Sequence, residues 1–417
     1  MEVGEEVLDE YCVGRKEGRE EGKEGRKEGG ADALSLGGKK DEVRREEEEE
    51  EDVFYTVLKE RVKVVMQGVD VVASWKRRSY YCLILSTVLL SYQGFLAGSI
   101  PALLLFSLSS WLLGAMGHDG SHFACSHLPW VNRLCGLGIS LIASPFLWYH
   151  QHTFAHHSFT NDFEHDPDLH HFVLTRPHGK QAKIENLHFL QRFRLYVLLQ
   201  YSLVAFGECV WIPLKLVCFR TLHGVMSFPN LGWKGVGRAM THFLLYVFWV
   251  LWVPGKALGR EGGRKWWVFP VVYVSICGVL FGIFSQINHL NEGSIASARG
   301  GGGGGGGGEG GREGGKEGEK KEIRSVSGRR EGGRSWAKEQ VETSSNFATH
   351  SWVWFVLSNG LNFQIEHHLF PGINHEHLWR VQPVVKEACR EFGVNYKSYN
   401  SMREIAWETA QYYKSLA

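Results

Sequence analysis

The chain alternates long apolar stretches with tracts dominated by charged residues and glycine. Residues 80–117 contain no charged side chain, and a helix crosses a bilayer in about 20 residues. This stretch therefore predicts two closely spaced membrane helices, with a turn near Gly98-Ser-Ile-Pro101. Three more apolar stretches follow, at about 195–219, 241–254 and 266–288. The shorter stretch 134–149 is interrupted by Pro145, which indicates an interfacial or re-entrant segment.

Polar tracts divide the chain into candidate segments. Residues 1–52 mix charges with glycine and predict a disordered tail, because such a composition cannot bury a core. Residues 293–334 form a low-complexity, glycine-rich insert, for which no packed structure is expected. The insert separates the first part of a membrane domain, 53–292, from its C-terminal part, 335–417.

Shorter patterns lie at the edges of these segments. Residues 53–74 carry apolar side chains at mixed spacing among charges, which favours a surface helix. Lys76-Arg77-Arg78 precedes the first apolar stretch and places that end in the cytosol by the positive-inside rule. Residues 377–392 have helical apolar spacing, and Gly393 is a candidate C-cap.

Composition excludes several functional classes. The net charge is +1, so no overall electrostatic attraction to nucleic acid is expected. The 8 cysteines are scattered without a CxxC pair, which favours reduced thiols over a disulfide framework. Trp 15, Phe 24 and Tyr 14 are high counts for a soluble chain, and they agree with a membrane protein.

Histidines are concentrated in three motifs beside apolar stretches. The motifs read His118-Asp-Gly-Ser-His122, His152-Thr-Phe-Ala-His156-His157 and Gln364-Ile-Glu-His367-His368. Histidines four residues apart share one face of a helix and can bind one ion, while the next residue points about 100° further round, towards a second ion. His289, at the end of the last apolar stretch, adds a further imidazole. These donors exceed the needs of one tetrahedral zinc and predict two metal ions, of iron, zinc, copper or nickel.

Other polar residues near the motifs have two equally favoured roles. They either orient the ligand imidazoles or cap helices, with orientation slightly favoured for the two aspartates of Asp166-Pro-Asp168. The set comprises Asp119, Asn161, Asp166, Asp168, Asn362 and Glu366. The remaining histidines are interpreted as solvated or hydrogen-bonded: His127, His150, His165, His170, His171, His178, His188, His223, His242, His350, His375 and His377.

A single metal site limits the membrane topology. If all the histidine motifs meet, an even number of membrane spans must separate the second motif from the third. One of the three later apolar stretches therefore does not cross. The stretch 195–219 is the best candidate, because it contains Glu208 and Lys215 and a charge in the bilayer costs several kcal/mol. The expected fold is all-α, with four transmembrane helices in two hairpins and a cytosolic, histidine-rich cap.

The motifs resemble those of the membrane-bound fatty acid desaturases, in particular the front-end type. The resemblance rests on the first motif, on Gln151-His152 to Thr160-Asn161 followed by Asp166-Pro-Asp168, and on Gly360 to Gly372. Gln364, where other desaturases have histidine, is typical of the front-end group. The resemblance covers roughly residues 75–292 and 335–400.

The resemblance implies a non-haem centre of two iron ions, with O2 as co-substrate. The ligands that it implies are His118, His122, His152, His156, His157, His289, Gln364, His367 and His368. Many front-end desaturases contain a fused cytochrome b5 domain with a His-Pro-Gly-Gly motif, which does not occur among these residues. Electrons are therefore expected from a separate donor, either cytochrome b5 with its reductase or ferredoxin.

The expected activity is insertion of a cis double bond between an existing double bond and the carboxyl end of a polyunsaturated acyl chain. Sphingolipid long-chain-base desaturation and lipid hydroxylation on the same fold are alternatives. A histidine-rich metal transporter and a zinc-dependent membrane hydrolase are less favoured. The expected location is the endoplasmic reticulum membrane rather than the plastid, with the metal site on the cytosolic or stromal face. The position of the new double bond and the acyl carrier stay open.

Overall fold

Helices dominate the structure, a computed structural model that describes residues 53–171, 174–228, 232–262, 267–291, 293–294 and 335–417. The expectation of an all-α protein is confirmed, because the described strands have only two residues each. They pair as Thr221–Leu222 with Met226–Ser227, antiparallel, and as Asn346–Phe347 with Ser398–Tyr399, parallel. The predictions for 1–52 and for nearly all of 293–334 lie outside the described residues.

The helices of the first half are α1 (53–65), α2 (Trp75–Leu96), α3 (Ile100–Ser121), α4 (Pro129–Gly136), α5 (Pro145–Trp148), α6 (Arg194–Tyr201), α7 (Ile212–Phe219), α8 (Trp233–Tyr246), α9 (Val253–Gly262) and α10 (Val268–Gln286). The C-terminal part contains α11 (Trp336–Glu342), α12 (Trp352–Leu357), α13 (Gln364–Leu369), α14 (Leu378–Glu391) and α15 (Met402–Ser415).

Shorter helical pieces connect these helices. Single helical turns occupy Leu137–Leu141, His157–Phe159, Pro167–His170, Glu185–His188, Phe189–Arg192, Val204–Phe206, Leu361–Phe363 and His375–His377. Three segments are π-helical: Tyr149–His156, Gly207–Trp211 and Val247–Trp252.

The first apolar stretch forms the predicted hairpin. Helices α2 and α3 are separated by the turn at 97–99, and the side chain of Ser99 caps α3 by accepting a hydrogen bond from the backbone of Ala102. Pro101 lies in the first turn of α3, where a missing backbone N–H costs nothing. The prediction of two helices with a turn near residues 98–101 is therefore confirmed.

Five helical stretches in the described part of the chain are long and apolar enough to cross a membrane. They are Trp75–Leu96, Ile100–Ser121, Arg194–Phe219, Trp233–Gly259 and Val268–Gln286. The sequence predicted four crossings and excluded the stretch at 195–219. The additional candidate, Arg194–Phe219, meets the criteria of length and apolarity alone. The pair Pro129–Leu141 and Pro145–Phe159 also passes together, but it is bent by 113°. Such a bend suits either a broken span or the re-entrant segment predicted there.

The C-terminal part packs against α1 to form a second core. Phe54, Leu58 and Val62, spaced four residues apart on α1, are buried against α14, and Arg61 pairs with Glu391 at 2.6 Å. The predicted surface helix therefore has one buried face. Helix α14 ends before Gly393, whose φ of +65° is the left-handed conformation of the predicted C-cap.

Candidate metal centre

The last turn of α3 holds the first histidine motif at one end of the membrane helices. His118 and His122 are separated by one helical turn, and their ring centroids lie 4.8 Å apart. Both side chains are buried. Helix α10 brings a further imidazole to the same region, because His289 follows its last turn and is also buried.

A π-helix presents the second motif, where an ordinary α-helix was expected. The π-helix Tyr149–His156 is wider than an α-helix, and π-helical turns are frequent at functional sites. His152 and His156 stack with ring centroids 5.3 Å apart, and Trp148 stacks on the other side of His152 at 4.3 Å. His157 opens the next turn and is buried as well.

Helix α13 supplies the third motif from far along the chain. His367 and His368 are adjacent, so their rings diverge at 89°. His367 points its Nε2 at Nε2 of His157, 3.2 Å away, while His368 faces Nε2 of Gln364 at 3.0 Å. The same amide nitrogen lies 3.0 Å from Nε2 of His289. The three motifs therefore converge on one small volume.

The converging nitrogens form two groups, each of a size that suits one ion. His118, His122, His152 and His367 place one nitrogen each within 4.8 Å of the others, and so do His156, His289 and His368. His157 lies between the groups, with ring centroids 4.6 Å from His122 and 4.3 Å from His368. The adjacent histidines of the third motif thus contribute to different groups. His152 and His156, which the spacing assigned to one ion, also divide between the two groups.

Burial keeps most of these imidazoles neutral. Desolvation, followed by repulsion from neighbouring imidazoles, holds the pKa of His122, His157, His367 and His368 well below its usual value. The same causes lower the pKa of His289 to about 3. A neutral imidazole offers the lone pair that a metal ion needs.

One buried nitrogen atom indicates whether the site fits a metal ion. Nε2 of His122 is buried and has no hydrogen-bond partner among the described residues, although three other imidazoles belong to its group. A buried polar atom in this condition costs about 1–3 kcal/mol, which coordination would remove. The residues therefore fit a pair of ions with nitrogen ligands.

Two aspartates anchor the second motif from outside. Asp166 accepts a hydrogen bond from Nδ1 of His156 at 3.0 Å and others from the backbone N–H groups of Asn161 and Asp168. Oδ2 of Asp168 lies 3.6 Å from Nδ1 of His156 and 3.8 Å from Nδ1 of His152. Burial lowers the pKa of His156, but the two carboxylates outweigh burial and raise it to about 9. This arrangement directs Nε2 of the imidazole towards the metal group.

The other predicted supporting residues have different contacts. Asp119 binds Arg77, Tyr81 and His375, while Asn161 donates to the backbone carbonyls of His289 and Thr343. Asn362 donates to the carbonyl of Ala348, and Glu366 accepts from Asn346 and Tyr396. Asn161 thus hydrogen-bonds the backbone at His289. Asn362 and Glu366 connect the segment around α13 to Ala348, Asn346 and Tyr396 by hydrogen bonds.

Sequence reasoning missed two further neighbours of the cage. His375, grouped with the solvated or hydrogen-bonded histidines, is buried; its Nδ1 contacts Asp119, and its ring centroid lies 4.6 Å from that of His367. Gln340 accepts a hydrogen bond from Nδ1 of His368 at 2.7 Å. The position of His375 shortly after the third motif was a usable signal, whereas nothing in the sequence marks Gln340.

Asp166→Asn should weaken iron binding about 10- to 100-fold, the loss typical of removing a carboxylate that orients a ligand histidine. The amide keeps one acceptor oxygen but loses the charge that fixes His156. The measurement is iron retained per chain during titration with a competing chelator. Asp162→Asn is the matched control, because that carboxylate contacts His165 at 3.3 Å rather than a cage histidine. Equal iron affinity in both variants would contradict the role given to Asp166.

Comparison with known proteins gives the family. The sequence model of the family described as "Fatty acid desaturase" matches residues 94–400. The "Acyl-lipid (8-3)-desaturase" of Physcomitrium patens is 28% identical over 287 residues, which cover 68% of this chain and 52% of the relative. The "sn-1 linoleoyl-lipid 6-desaturase" of Synechocystis is 27% identical over 290 residues, covering 69% of this chain and 72% of the relative.

The matches differ in how much of each relative they span. The chain spans about half the length of the Physcomitrium protein. A "Probable Delta(5) fatty acid desaturase C" of Dictyostelium discoideum is 23% identical over 374 residues, covering 82% of this chain and 71% of the relative. No solved structure matches the chain. Because the family model covers most of the chain and includes all three histidine motifs, this protein belongs to the fatty acid desaturase family, whose members are oxidoreductases.

Proposed function

We propose that the protein is a front-end acyl desaturase that uses two iron ions and O2. The proposal rests chiefly on the convergence of eight imidazoles and Gln364 at the end of apolar helices, with seven of the imidazoles in two ion-sized groups. The front-end assignment rests on Gln364 and on the names of relatives, among them an "Acyl-lipid (8-3)-desaturase" and an "sn-1 linoleoyl-lipid 6-desaturase". The domain proposed for this activity comprises residues 53–292 and 335–417.

The first group would hold one iron and the second group the other. His157, between the groups, can serve either ion, and Gln364 can present its amide oxygen from the place where its side chain meets His289 and His368. When bound, the iron pair supplies O2 activation and removal of two hydrogens. The protein contributes neutral imidazoles, carboxylates that orient them, and exclusion of water.

A small, largely apolar cavity adjoins the cage, and we propose that part of the acyl chain lies there. Its walls include Trp111, Ile142, Phe281 and Phe284, and it reaches His118. A uniform methylene chain offers no polar handle, so the position of attack is selected by the shape of such a cavity. We propose that this cavity places one methylene pair against the iron ligands.

The balance of the reaction requires an electron donor. Two hydrogens leave the methylene pair, and with O2, two electrons and two protons they end as two water molecules. We propose that cytochrome b5 with its reductase, or ferredoxin, acts as a separate donor and supplies the electrons. No role for nucleic acid is proposed.

We propose four membrane crossings, with both termini of the domain and the cage on one face. The contacts of the segment 194–219 support this topology. Near its start the Arg194 guanidinium lies 5.1 Å from the ring of Trp407 in the C-terminal part, and just after its end His223 lies 3.3 Å from Gln151 beside the cage. Because both ends contact parts of the chain that the proposed topology puts on the cage face, we infer an interfacial helix rather than a crossing. The proposed membrane is that of the endoplasmic reticulum, with the cage facing the cytosol.

The test of the function is expression in yeast fed linoleic or other polyunsaturated acids, followed by double-bond mapping by mass spectrometry. A front-end desaturase should yield a product with one new cis double bond on the carboxyl side of an existing one. A hydroxylated product, or a new double bond confined to sphingoid bases, would contradict the proposal and favour those activities.

Gln364→His should lower desaturation, and Gln364→Ala should lower it more, by at least about tenfold. Histidine can still donate a nitrogen near His289 and His368, though with altered length and charge, whereas alanine offers no donor. Product formed per chain at matched expression is the measurement. Equal activity in all three proteins would show that Gln364 does not contact a metal.

A further inference from the structure

A second histidine cluster lies outside the iron cage. His171, Glu208 and His223 each place one candidate ligand atom within 4.8 Å of the others. None of the three belongs to the histidine motifs that identify the family. Their side chains are 2%, 1% and 6% exposed, so the cluster is shielded from solvent.

Three unrelated elements build this cluster. His171 follows the helical turn Pro167–His170, and Glu208 lies in the π-helical segment Gly207–Trp211. His223 lies in the turn of the Thr221–Ser227 hairpin with a φ of +52°, and its ring stacks on His171 at 4.6 Å. Because the three residues lie on separate elements, their proximity does not follow from the geometry of a single helix.

The distances suit coordination of one ion. Oε1 of Glu208 lies 3.6 Å from Nδ1 of His171 and 3.9 Å from Nε2 of His223. Neither distance is a hydrogen bond. In a tetrahedral site with metal–ligand bonds near 2.1 Å, neighbouring ligand atoms lie about 3.4 Å apart.

A second observation points independently to a cation. Oε2 of Glu208 is buried, and no residue that the structure describes forms a hydrogen bond with it. In the described part of the chain, Glu208 pairs with His171 and His223, and no lysine or arginine lies within ion-pair distance of it. A buried carboxylate costs several kcal/mol unless a positive charge or hydrogen bonds compensate it.

The surroundings of His171 match those of a metal ligand. Its Nε2 lies 3.2 Å from Oδ1 of Asp168 and also contacts Gln151, which leaves Nδ1 facing Glu208. A carboxylate on the far nitrogen of a histidine is the usual support of a metal-bound imidazole. Asp168 therefore stands between this cluster and the iron cage, and it contacts both.

We propose that His171, Glu208 and His223 form a third metal site, separate from the iron pair, for a divalent ion of the zinc type. Two imidazoles and one carboxylate suit zinc or a similar borderline cation, with room for a water as fourth ligand. The proposed ion neutralises Glu208 and links the segment 194–219 to the turn after the second histidine motif. This role is structural.

The experiment uses the full chain in detergent, loaded with iron anaerobically and then titrated with zinc before metal analysis by mass spectrometry. The unmodified protein should retain about one zinc more per chain than Glu208→Gln, with the same iron content. His127→Ala, which removes a half-exposed histidine paired with Asp70, is the control and should retain that zinc. Equal zinc in the unmodified protein and Glu208→Gln would overturn the proposal.

A measurement on the unmodified protein tests the proposal even if the Glu208→Gln variant fails to fold. Zinc X-ray absorption should show only nitrogen and oxygen ligands at about 2.0–2.2 Å, with two imidazoles. If the protein retains no zinc, the proposed site does not exist. A zinc shell of imidazoles alone would place the zinc outside this cluster, and either result would overturn the proposal. Loss of iron or absence of desaturation with zinc intact would instead contradict the proposed function, so the two failures are distinguishable.

Discussion

Replacing His156 or His368 with alanine should abolish desaturation, with product falling at least about 100-fold, while the protein still inserts in the membrane. Both residues belong to the smaller group with His289, so losing one leaves that ion two imidazoles of its own group, beside the shared His157 and the amide of Gln364. The nearest other donors already serve as ligands in the proposed assignment, so none of them can replace the missing imidazole. Removing a supporting carboxylate alone costs 10- to 100-fold, and removing a ligand should cost more.

The measurement combines product formation in yeast with iron content of the purified protein. We expect both to fall together, and expression and size-exclusion profiles to stay unchanged. His350→Ala, at an exposed position outside the cage, provides the control and should keep both. Substantial turnover by either cage variant would refute the ligand assignment.

Spacing along the chain predicted that the motif histidines and His289 meet, but it did not predict that His375 lies beside them. Residues 118 and 122 lie one helical turn apart at the end of a membrane-length helix, and each other motif also adjoins an apolar stretch. Apolar segments of that length have few alternatives to membrane helices, so the position of the motifs at their ends follows from the sequence. The use of each residue as a ligand stays a prediction.

Details that depend on contacts between distant segments were not predictable. Asp119 and His375 are 256 positions apart, and Thr160 and Gln340 are 180 apart, yet each pair is in contact. No periodicity connects such positions. The π-helix at Tyr149–His156 is equally hidden, because its sequence differs little from that of an α-helix.

The number of crossings shows a different limit. Length and apolarity favour a crossing at 194–219, whereas its charges and the parity of the motifs argue against one. The contacts of Arg194 and His223 support the proposed interfacial segment, and such contacts become visible only in the folded chain.

Close packing of α3 against the segment 129–141 fixes the first histidine motif. A Cβ atom at Gly117 would lie 2.3 Å from the backbone nitrogen of Ile139, and one at Gly120 would lie 2.4 Å from that of Gly136. These neighbours are backbone atoms, which cannot swing aside as a flexible side chain can. The two glycines flank His118, so any displacement of α3 also moves the metal ligands.

The double substitution Gly117→Ala with Gly120→Ala should therefore destabilise the protein and empty its metal site. Overpacking costs about 1–3 kcal/mol per site, and the gain in helix propensity, about 1 kcal/mol per residue, offsets only part of it. We expect a lower thermal unfolding temperature in detergent, by several °C, and lower iron content. Gly136→Ala is the matched control, because a Cβ there would meet no atom within 4 Å. If the double variant unfolds at the same temperature as this control and holds as much iron, the backbone contact does not position the cage.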